Sequence, residues 1–339
     1  MMNNIIKIFT LLSFLSILAC GSEPQVENVV SEPVAENLSQ TEMEIRSLDA
    51  QIEKEPQNDK LYELRGDSFF KLEGYDEAIK DYTRAMELDQ KNPIYPQKLA
   101  AVYMNYNRSR KAYNIMSAAS FKFPRDTSLL LKLAEYEVLL KKNNEAFQTL
   151  QKVLKIDRHN AEAYFLMGLN FKDIGEMDKA IGSFQTAVDK DSDYVEALMM
   201  LGYIYDERND PIAERFFDNA IASEPDYMDA YLAKGNHFGN QGEFLKAVEV
   251  FKQINEKDGQ NPDAYYNIGL AYMQIDSFKL AADNFKICIQ LEPTYVRGHY
   301  YMGVASEKIG NKDQAKQYYQ QAINLDPEME KAKKALQGL

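Results

Sequence analysis

From residue 59 to residue 329 the sequence repeats itself at a period of 34 residues. Eight successive blocks share the same landmarks, and they begin at Asp59, Pro93, Thr127, Ala161, Val195, Met228, Pro262 and Val296. A unit of this length is one supersecondary motif, which is too small to bury its own apolar faces. The blocks must therefore stack on one another, and the chain is expected to form a long repeat array.

Small residues recur at fixed places within the blocks. The eighth place is always glycine or alanine: Gly66, Ala100, Ala134, Gly168, Gly202, Gly235, Gly269 and Gly303. The twentieth place is usually alanine, at Ala78, Ala112, Ala146, Ala180, Ala247, Ala281 and Ala315. Small residues at both places allow two amphipathic helices to pack closely, with large apolar residues filling the gaps between them. Each block is therefore predicted to form a pair of helices joined by a turn.

The block resembles the tetratricopeptide repeat, whose pattern is W-x2-L-G-x2-Y, then A-x3-F, then P. The seventh block, for example, carries it at Tyr265, Gly269, Tyr272, Ala281 and Pro293. The resemblance implies an all-α fold, a right-handed superhelical solenoid of stacked helix-turn-helix repeats whose first helices line a concave side. Local departures, such as Arg65 and Lys234 at the apolar seventh place and Glu137 at the aromatic eleventh, are expected to distort the stack only locally.

The first twenty residues, MMNNIIKIFTLLSFLSILAC, contain one lysine before an apolar run from Ile8 to Leu18. As a helix this run spans about 16 Å, which suits the core of a secretory signal better than a membrane span. Ile17, Leu18, Ala19 and Cys20 resemble the lipobox of a bacterial lipoprotein. By that resemblance Cys20 becomes the acylated mature N-terminus, with palmitate-type chains that anchor it stably. The alternative is an ordinary cleaved signal that happens to end in cysteine.

These patterns divide the chain into a signal, a tether, the repeats and two end caps. Residues 20–39 contain scattered glutamates and no aromatic residue, so they are expected to be a disordered tether after the lipidated cysteine. The predicted division is a signal peptide (1–19), the tether (20–39), an N-terminal capping helix (40–58), eight repeats (59–92, 93–126, 127–160, 161–194, 195–227, 228–261, 262–295 and 296–329) and a C-terminal capping helix (330–339).

Composition argues against several classes of function. The formal net charge is −13, which disfavours nucleic acid because phosphates require clusters of lysine and arginine. The histidines His159, His237 and His299 fall at different repeat places, and no catalytic or phosphate-binding motif appears. Cys288 occupies a small-residue place and is expected to be buried and structural. We therefore expect no enzyme activity, no cofactor and no metal.

The resemblance places the fifth, sixth, ninth, twelfth and thirteenth residues of each block on the concave side. In the first three blocks these places are mixed, with Glu63, Asp67, Lys71, Gln97, Lys98, Lys132 and Glu135. From the fourth block onward they are apolar, aromatic or amide, and we predict a partner groove of Phe165, Leu166, Leu169, Met199, Met200, Tyr203, Leu232, Asn236, Tyr266, Asn267, Leu270, Met273, Tyr300 and Tyr301. Exposed surfaces of this kind are typical of binding sites, here for a peptide segment of a protein.

Three tyrosines of the stretch PDAYYNIGLAYMQ, residues 262–274, receive different predictions. Tyr265 and Tyr272 occupy core places, whereas Tyr266 is expected to be free to contact a partner. The alternative for the groove as a whole is that several of its residues pack against the neighbouring repeat instead.

Acidic residues also recur at the second place of four blocks, at Glu162, Glu196, Asp229 and Asp263. They can be drawn as an acidic row, but carboxylates in the first turn of a helix are favoured by the helix dipole, and we prefer that structural interpretation. The lysine and asparagine set of carboxylate-clamp repeats and a regular asparagine ladder are both missing from this groove.

The resulting hypothesis is a non-catalytic, lipid-anchored scaffold or adaptor of a bacterial cell envelope, on the outer membrane, that binds protein partners in its concave groove. It resembles envelope lipoproteins of this repeat class that assist pilus or secretion assembly or dock cell-wall hydrolases. Two alternatives stay open, namely binding of an envelope glycan or other small ligand, and a self-assembling structural protein. A homo-oligomer has no direct support in the sequence.

The lipobox interpretation makes a prediction about Cys20. A Cys20→Ser variant lacks the sulfur that carries the diacylglycerol, so it is expected to leave the membrane fraction. Fractionation of cells that express the two forms checks this, and a serine variant that still sediments with membranes would contradict the anchor.

Overall fold

The computed structural model describes residues 39–339, which form eighteen α-helices and no strand within that range. The predicted signal peptide, Cys20 and nearly all of the tether lie outside the described residues. The helices are α1 (Gln40–Lys54), α2 (Asp59–Lys71), α3 (Tyr75–Leu88), α4 (Ile94–Asn105), α5 (Ser109–Lys122), α6 (Thr127–Leu139), α7 (Asn143–Ile156), α8 (Ala161–Asp173), α9 (Met177–Lys190), α10 (Val195–Glu207), α11 (Ile212–Ser223), α12 (Met228–Asn240), α13 (Phe244–Lys257), α14 (Pro262–Gln274), α15 (Phe278–Leu291), α16 (Val296–Ile309), α17 (Lys312–Leu325) and α18 (Glu330–Gln337).

The helices stack in chain order as pairs. Each first helix, from α2 to the even-numbered α16, packs against the second helix that follows it, and that second helix packs against the first helix of the next pair. Helix α1 precedes the first pair and contacts α2, and α18 covers the last pair through α17. The predicted all-α fold of stacked helix pairs is therefore confirmed.

The first helices lie on the inner side of the stack. Neighbouring first helices contact one another directly, as α4 does with α6, α6 with α8, α10 with α12, and α14 with α16. Elements on the inside of a curved stack approach more closely than those on the outside. The direct contacts between first helices thus indicate that these helices line the concave side, and the surface that they share is called the groove below.

Every pair has the same turn between its two helices. The fifteenth residue of each block takes a left-handed conformation with positive φ, at Glu73, Asn107, Lys141, Gly175, Asn209, Gly242, Asp276 and Gly310. A left-handed residue just past a helix C-terminus satisfies the last carbonyl groups and reverses the chain. Only three of these residues are glycines. The other five adopt the left-handed conformation although they have side chains, so we infer that the packing of the stack imposes the turn.

A matched pair of side chains holds each hairpin together. Where the eighth place is glycine, a buried aromatic ring of the second helix lies over it, as Phe285 lies over Gly269; the ring is at the twenty-fourth place, or at the twenty-third in the fifth block, which is one residue shorter. The six such rings are Tyr82, Phe184, Phe217, Phe251, Phe285 and Tyr319. Where the eighth place is Ala100 or Ala134, the buried partners are the slimmer Met116 and Leu150. The volume that a methyl group adds on one helix is therefore removed from the other.

The two cations at the seventh place are accommodated without disruption. Arg65 forms a two-pronged salt bridge to Asp81, at 2.7 and 2.8 Å, and a third contact of 2.6 Å to Asp49 on the preceding helix. Lys234 likewise contacts Asp218 of the preceding second helix at 2.6 Å. Each cation thus finds a carboxylate on the preceding helix, and α2 and α12 remain continuous through Arg65 and Lys234 because the charges are paired across the stack.

Glu137, which replaces an aromatic residue at the eleventh place, is buried and only 3% exposed. Its Oε2 atom has no hydrogen-bond partner in the described range, while the Thr149 hydroxyl group donates a hydrogen bond to the carboxyl group. Burial raises the pKa of Glu137 to about 7, and the bond from Thr149 opposes that rise. Burial thus favours the protonated form of this carboxyl group in the folded chain.

The glycine–ring pairs predict a stability difference between two Gly→Ala substitutions. In a Gly269→Ala variant the new Cβ atom lies 2.6 Å from Cε1 of Phe285, so overpacking should destabilise the protein by about 1–3 kcal/mol. A Gly182→Ala variant meets nothing within 4 Å and should instead stabilise α9 by about 0.5–1 kcal/mol. Urea unfolding followed by circular dichroism measures both, and equal midpoints for the two variants would refute the pairing.

Glu137 predicts a pH dependence of stability. Its pKa is raised in the folded chain above the ordinary value of 4.5, so its stabilising contribution is complete below pH 4.5 and is lost as the pH rises through about 7. A Glu137→Gln variant should therefore lose part of the decline in urea midpoint between about pH 5 and about pH 8. A Glu249→Gln variant, which changes an exposed glutamate on α13, should keep the wild-type dependence.

Candidate partner-binding groove

The groove residues predicted from the sequence differ in exposure. Tyr203, which is 43% exposed, and Asn236 are open to solvent. Leu166, Met199 and Tyr266 are buried. The remainder are partly buried: Phe165, Leu169, Met200, Leu232, Asn267, Leu270, Met273, Tyr300 and Tyr301. The three buried residues stand at the fifth and sixth places, where neighbouring first helices touch, whereas the two exposed residues stand at the ninth place.

The expectation that Tyr266 is free to contact a partner is wrong. Its ring is 7% exposed and packs against Tyr295, Tyr301 and Phe285, with ring centroids 5.3, 5.8 and 6.0 Å away. Burial raises the pKa of its hydroxyl group to about 12. Tyr266 therefore joins repeat 7 to repeat 8 and forms part of the core beneath the groove. The alternative interpretation, packing against the neighbouring repeat, holds for this residue.

A cavity of about 550 Å³ opens in the groove between α12, α14 and α16. Five of the predicted groove residues line it: Asn236, Asn267, Leu270, Met273 and Tyr301. The cavity is also lined by residues outside the predicted groove set, namely Asn240, Phe244, Phe278 and Lys308. Asn240 and Lys308 occupy the thirteenth place, so the repeat register could have identified them. Phe244 and Phe278 begin second helices and enter only through the three-dimensional packing.

Amide groups in this cavity are available to a ligand. The side chains of Asn236, Asn267 and Gln274 make no hydrogen bond within the described residues. Asn240 is partly engaged, because its Nδ2 atom donates to Asp206 Oδ2 at 3.3 Å. Leu270, Met273 and Tyr301 supply apolar surface beside these amides. The cavity can therefore bind apolar side chains while its amides pair with a polar backbone.

The groove of the first three repeats has a different character, because its charges are paired with one another. Lys98 contacts Glu63 at 2.8 Å and Asp67 at 2.6 Å, and Lys132 contacts Glu135 at 2.6 Å. These contacts satisfy the cations internally. A second cavity, of about 480 Å³, lies at this end between α1 and α2, with Leu64 and Lys71 in its lining.

Two of the three histidines are buried and form part of the packing between helices. His237 is buried, and its Nδ1 atom lies 2.6 Å from Oδ1 of Asp206, which joins repeats 5 and 6. His299 is buried with Nε2 2.9 Å from the carbonyl oxygen of Pro293, whereas His159 is exposed.

The remaining sequence-based site predictions concern the lone buried thiol, metal ions and membrane spans. Cys288 is buried as expected, and burial raises the pKa of its thiol to about 12. Within residues 39–339 no group of three acidic, histidine or cysteine side chains is placed to hold a metal ion. Over the same range no helix has the length and apolar character needed to cross a bilayer.

Comparison with protein families decides the class of the array. Models of the tetratricopeptide repeat match residues 59–92, 165–215, 232–287 and 296–329, which together make up just over half of the chain. The chain belongs to the tetratricopeptide repeat family. In the terms of that family, α2 to α17 form repeats 1 to 8, and the first and last matches coincide with repeats 1 and 8.

Similar proteins share this tetratricopeptide repeat array at low identity. The BBSome complex member BBS4 of Bos taurus is 23% identical over 264 residues, which are 77% of this chain and 50% of that protein. Hsp70-Hsp90 organizing protein 3 of Arabidopsis thaliana is 21% identical over 262 residues, which are 77% of this chain and 42% of that protein. The chain thus spans half or less of the length of these relatives.

Among solved structures, the C-terminal part of a TPR repeat-containing protein from Cytophaga hutchinsonii has the same fold. It superposes with a TM-score of 0.58 at 17% identity, and it covers 70% of this chain and 98% of its own. At this identity the likeness establishes the tetratricopeptide repeat fold alone. The groove of this protein must therefore be interpreted from its own side chains.

Proposed function

We propose that this tetratricopeptide repeat protein is a non-catalytic adaptor that binds a peptide segment of a protein partner in the groove of repeats 4 to 8. The observation that carries the proposal is the cavity between α12, α14 and α16, where unpaired amides stand beside apolar side chains. Such a mixed lining suits a polypeptide, which presents both a polar backbone and apolar side chains along one surface.

The position of the amides favours an extended ligand over a compact one. Asn236, Asn267 and Gln274 come from two successive first helices, so a ligand that pairs with all three crosses from one repeat to the next. The exposed Tyr203 continues the apolar surface into repeat 5. A chain lying across several first helices contacts these groups in sequence. The named relatives, a BBSome complex member and an Hsp70-Hsp90 organizing protein, are themselves named for multiprotein assemblies, which agrees with an adaptor role.

The proposal includes anchoring of the array through Cys20 to the outer membrane of a bacterial cell envelope. Its support is the apolar run from Ile8 to Leu18 followed by Ala19 and Cys20, as set out above. Anchoring by a lipid holds an adaptor at the membrane surface while its groove stays available to partners. Assistance of pilus or secretion assembly and docking of cell-wall enzymes are the roles that this arrangement suits.

Paired amide substitutions test the groove. In an Asn236→Ala plus Gln274→Ala variant two hydrogen bonds to a ligand are lost at about 1 kcal/mol each, so affinity should fall about 30-fold. The ligands are peptides selected from a random displayed library on the full chain in detergent micelles. Their dissociation constants are measured by fluorescence anisotropy.

The matched control is Asn219→Ala plus Gln290→Ala. These residues are of the same types and are exposed, but they lie on the second helices α11 and α15. The control should change affinity less than about twofold, since surface changes away from a binding site have small effects. Selected peptides that bind both variants and the wild type equally would show that the groove is not the site.

A further inference from the structure

The four acidic residues at the second place form one exposed row along the rim of the groove. Glu162, Glu196, Asp229 and Asp263 lie in the first turns of α8, α10, α12 and α14, and all four are exposed. At the other ends of α12 and α14 the thirteenth place holds the amides Asn240 and Gln274, whereas on α8 and α10 it holds Asp173 and Glu207. Eleven residues of helical rise separate the two rims by about 16 Å, which leaves room for one peptide chain between them.

The acidic row borders the apolar groove residues of repeats 4 to 7, among them Phe165 and Tyr203, which are called the floor below. The pKa of the Tyr203 hydroxyl group is raised first by burial and then by the nearby charge of Asp229. The pKa of Tyr194, whose ring packs 5.3 Å from that of Phe165, is raised above its ordinary value by burial and then by Glu196 and Glu162. On each of the four helices the carboxylate also lies about one turn from the inward-facing residues at the fifth and sixth places, so both can contact the same ligand.

The row is not neutralised by the protein itself. Glu162, Glu196 and Asp229 have no salt bridge or hydrogen bond among the side chains of residues 39–339, and Asp263 accepts only a hydrogen bond from Tyr295. The pKa of Glu162 is raised by burial, and Glu135 and Glu196 add to that rise against the opposing charge of Lys132. Neighbouring carboxylates thus repel one another, which a cationic ligand would relieve.

Helix dipoles alone do not account for the distribution of these acids. The same dipole acts at the start of α4, α6 and α16, where the second place holds Ile94, Ser128 and Arg297. Carboxylates occupy it only in repeats 4 to 7, whose inward-facing residues are mostly apolar, and none of the four forms a salt bridge within residues 39–339. In the first repeats the groove acids pair with Lys98 and Lys132 instead.

We infer that the groove of repeats 4 to 7 selects a basic peptide segment, in which lysine or arginine side chains pair with the acidic rim while apolar side chains enter the floor. This inference rests on the proposed function and specifies its ligand. Opposite charge along the rim fixes the position of the segment and speeds its association, and the floor and amides hold it. Arg297 in repeat 8 ends the acidic row, so the basic stretch ends there as well.

The test starts from an unbiased random peptide library selected on the full chain in detergent micelles. Peptides that depend on Asn236 and Gln274 should be enriched in lysine and arginine interleaved with apolar residues. Their affinity should fall about fivefold or more in a Glu196→Gln plus Asp229→Asn variant, and raised salt should weaken wild-type binding. Both substitutions keep the size of exposed side chains, so folding is expected to be unchanged.

A control variant of equal charge separates the rim from the general acidity of the protein. Glu249→Gln plus Asp283→Asn removes two exposed carboxylates from the second helices α13 and α15, and should change affinity less than about twofold. Equal losses in both variants would mean non-specific attraction and overturn the inference. Amide-dependent peptides without basic enrichment would overturn the inference and leave the groove function intact. A library that yields no amide-dependent peptide would remove both.

Discussion

The contact between a small residue on the first helix of each repeat and a large buried side chain on the second sets the geometry of the whole array. Glycine faces an aromatic ring in six repeats, and alanine faces methionine or leucine in the other two. The larger ring faces the smaller residue and the smaller side chain faces alanine, so the two helices of each hairpin pack closely. The hairpins stack on one another, and first helices of neighbouring repeats come into direct contact on the inner side.

The contact between first helices decides which groove side chains remain available. Where first helices touch, residues such as Leu166, Met199 and Tyr266 are drawn into the contact. Places further along the helix, where Tyr203, Asn236 and Gln274 stand, remain open. The groove is therefore narrower than the set of inward-facing places suggests. Its apolar side chains are bordered by carboxylates at the starts of α8, α10, α12 and α14, and by the amides Asn240 and Gln274 at the far ends of α12 and α14.

The two halves of the array use charge differently. In repeats 1 to 3 several buried and groove charges are paired within the protein, as in the contacts of Arg65 with Asp81 and of Lys98 with Glu63, although the buried Glu137 has no cationic partner in the described residues. These pairs attach the early repeats to one another and to α1. In repeats 4 to 7 the rim carboxylates have no such partners. The first half thus pairs much of its groove charge internally, whereas the four rim carboxylates of the second half form no salt bridge within residues 39–339.

The sequence determined the repeat and the helical class, since these depend on a period that survives local substitution, while the places that face inward came from the resemblance to the tetratricopeptide repeat. It also identified five of the residues that line the cavity between α12, α14 and α16. It could not decide that Tyr266 is buried, because the ring is covered by Tyr295 and Tyr301 from elements about thirty residues later. Nor could it show that Lys234 finds Asp218, or that Phe244 and Phe278 border the cavity. Periodicity reports which face of a helix a residue occupies, whereas tertiary packing decides what lies opposite that face, and exposure depends on both.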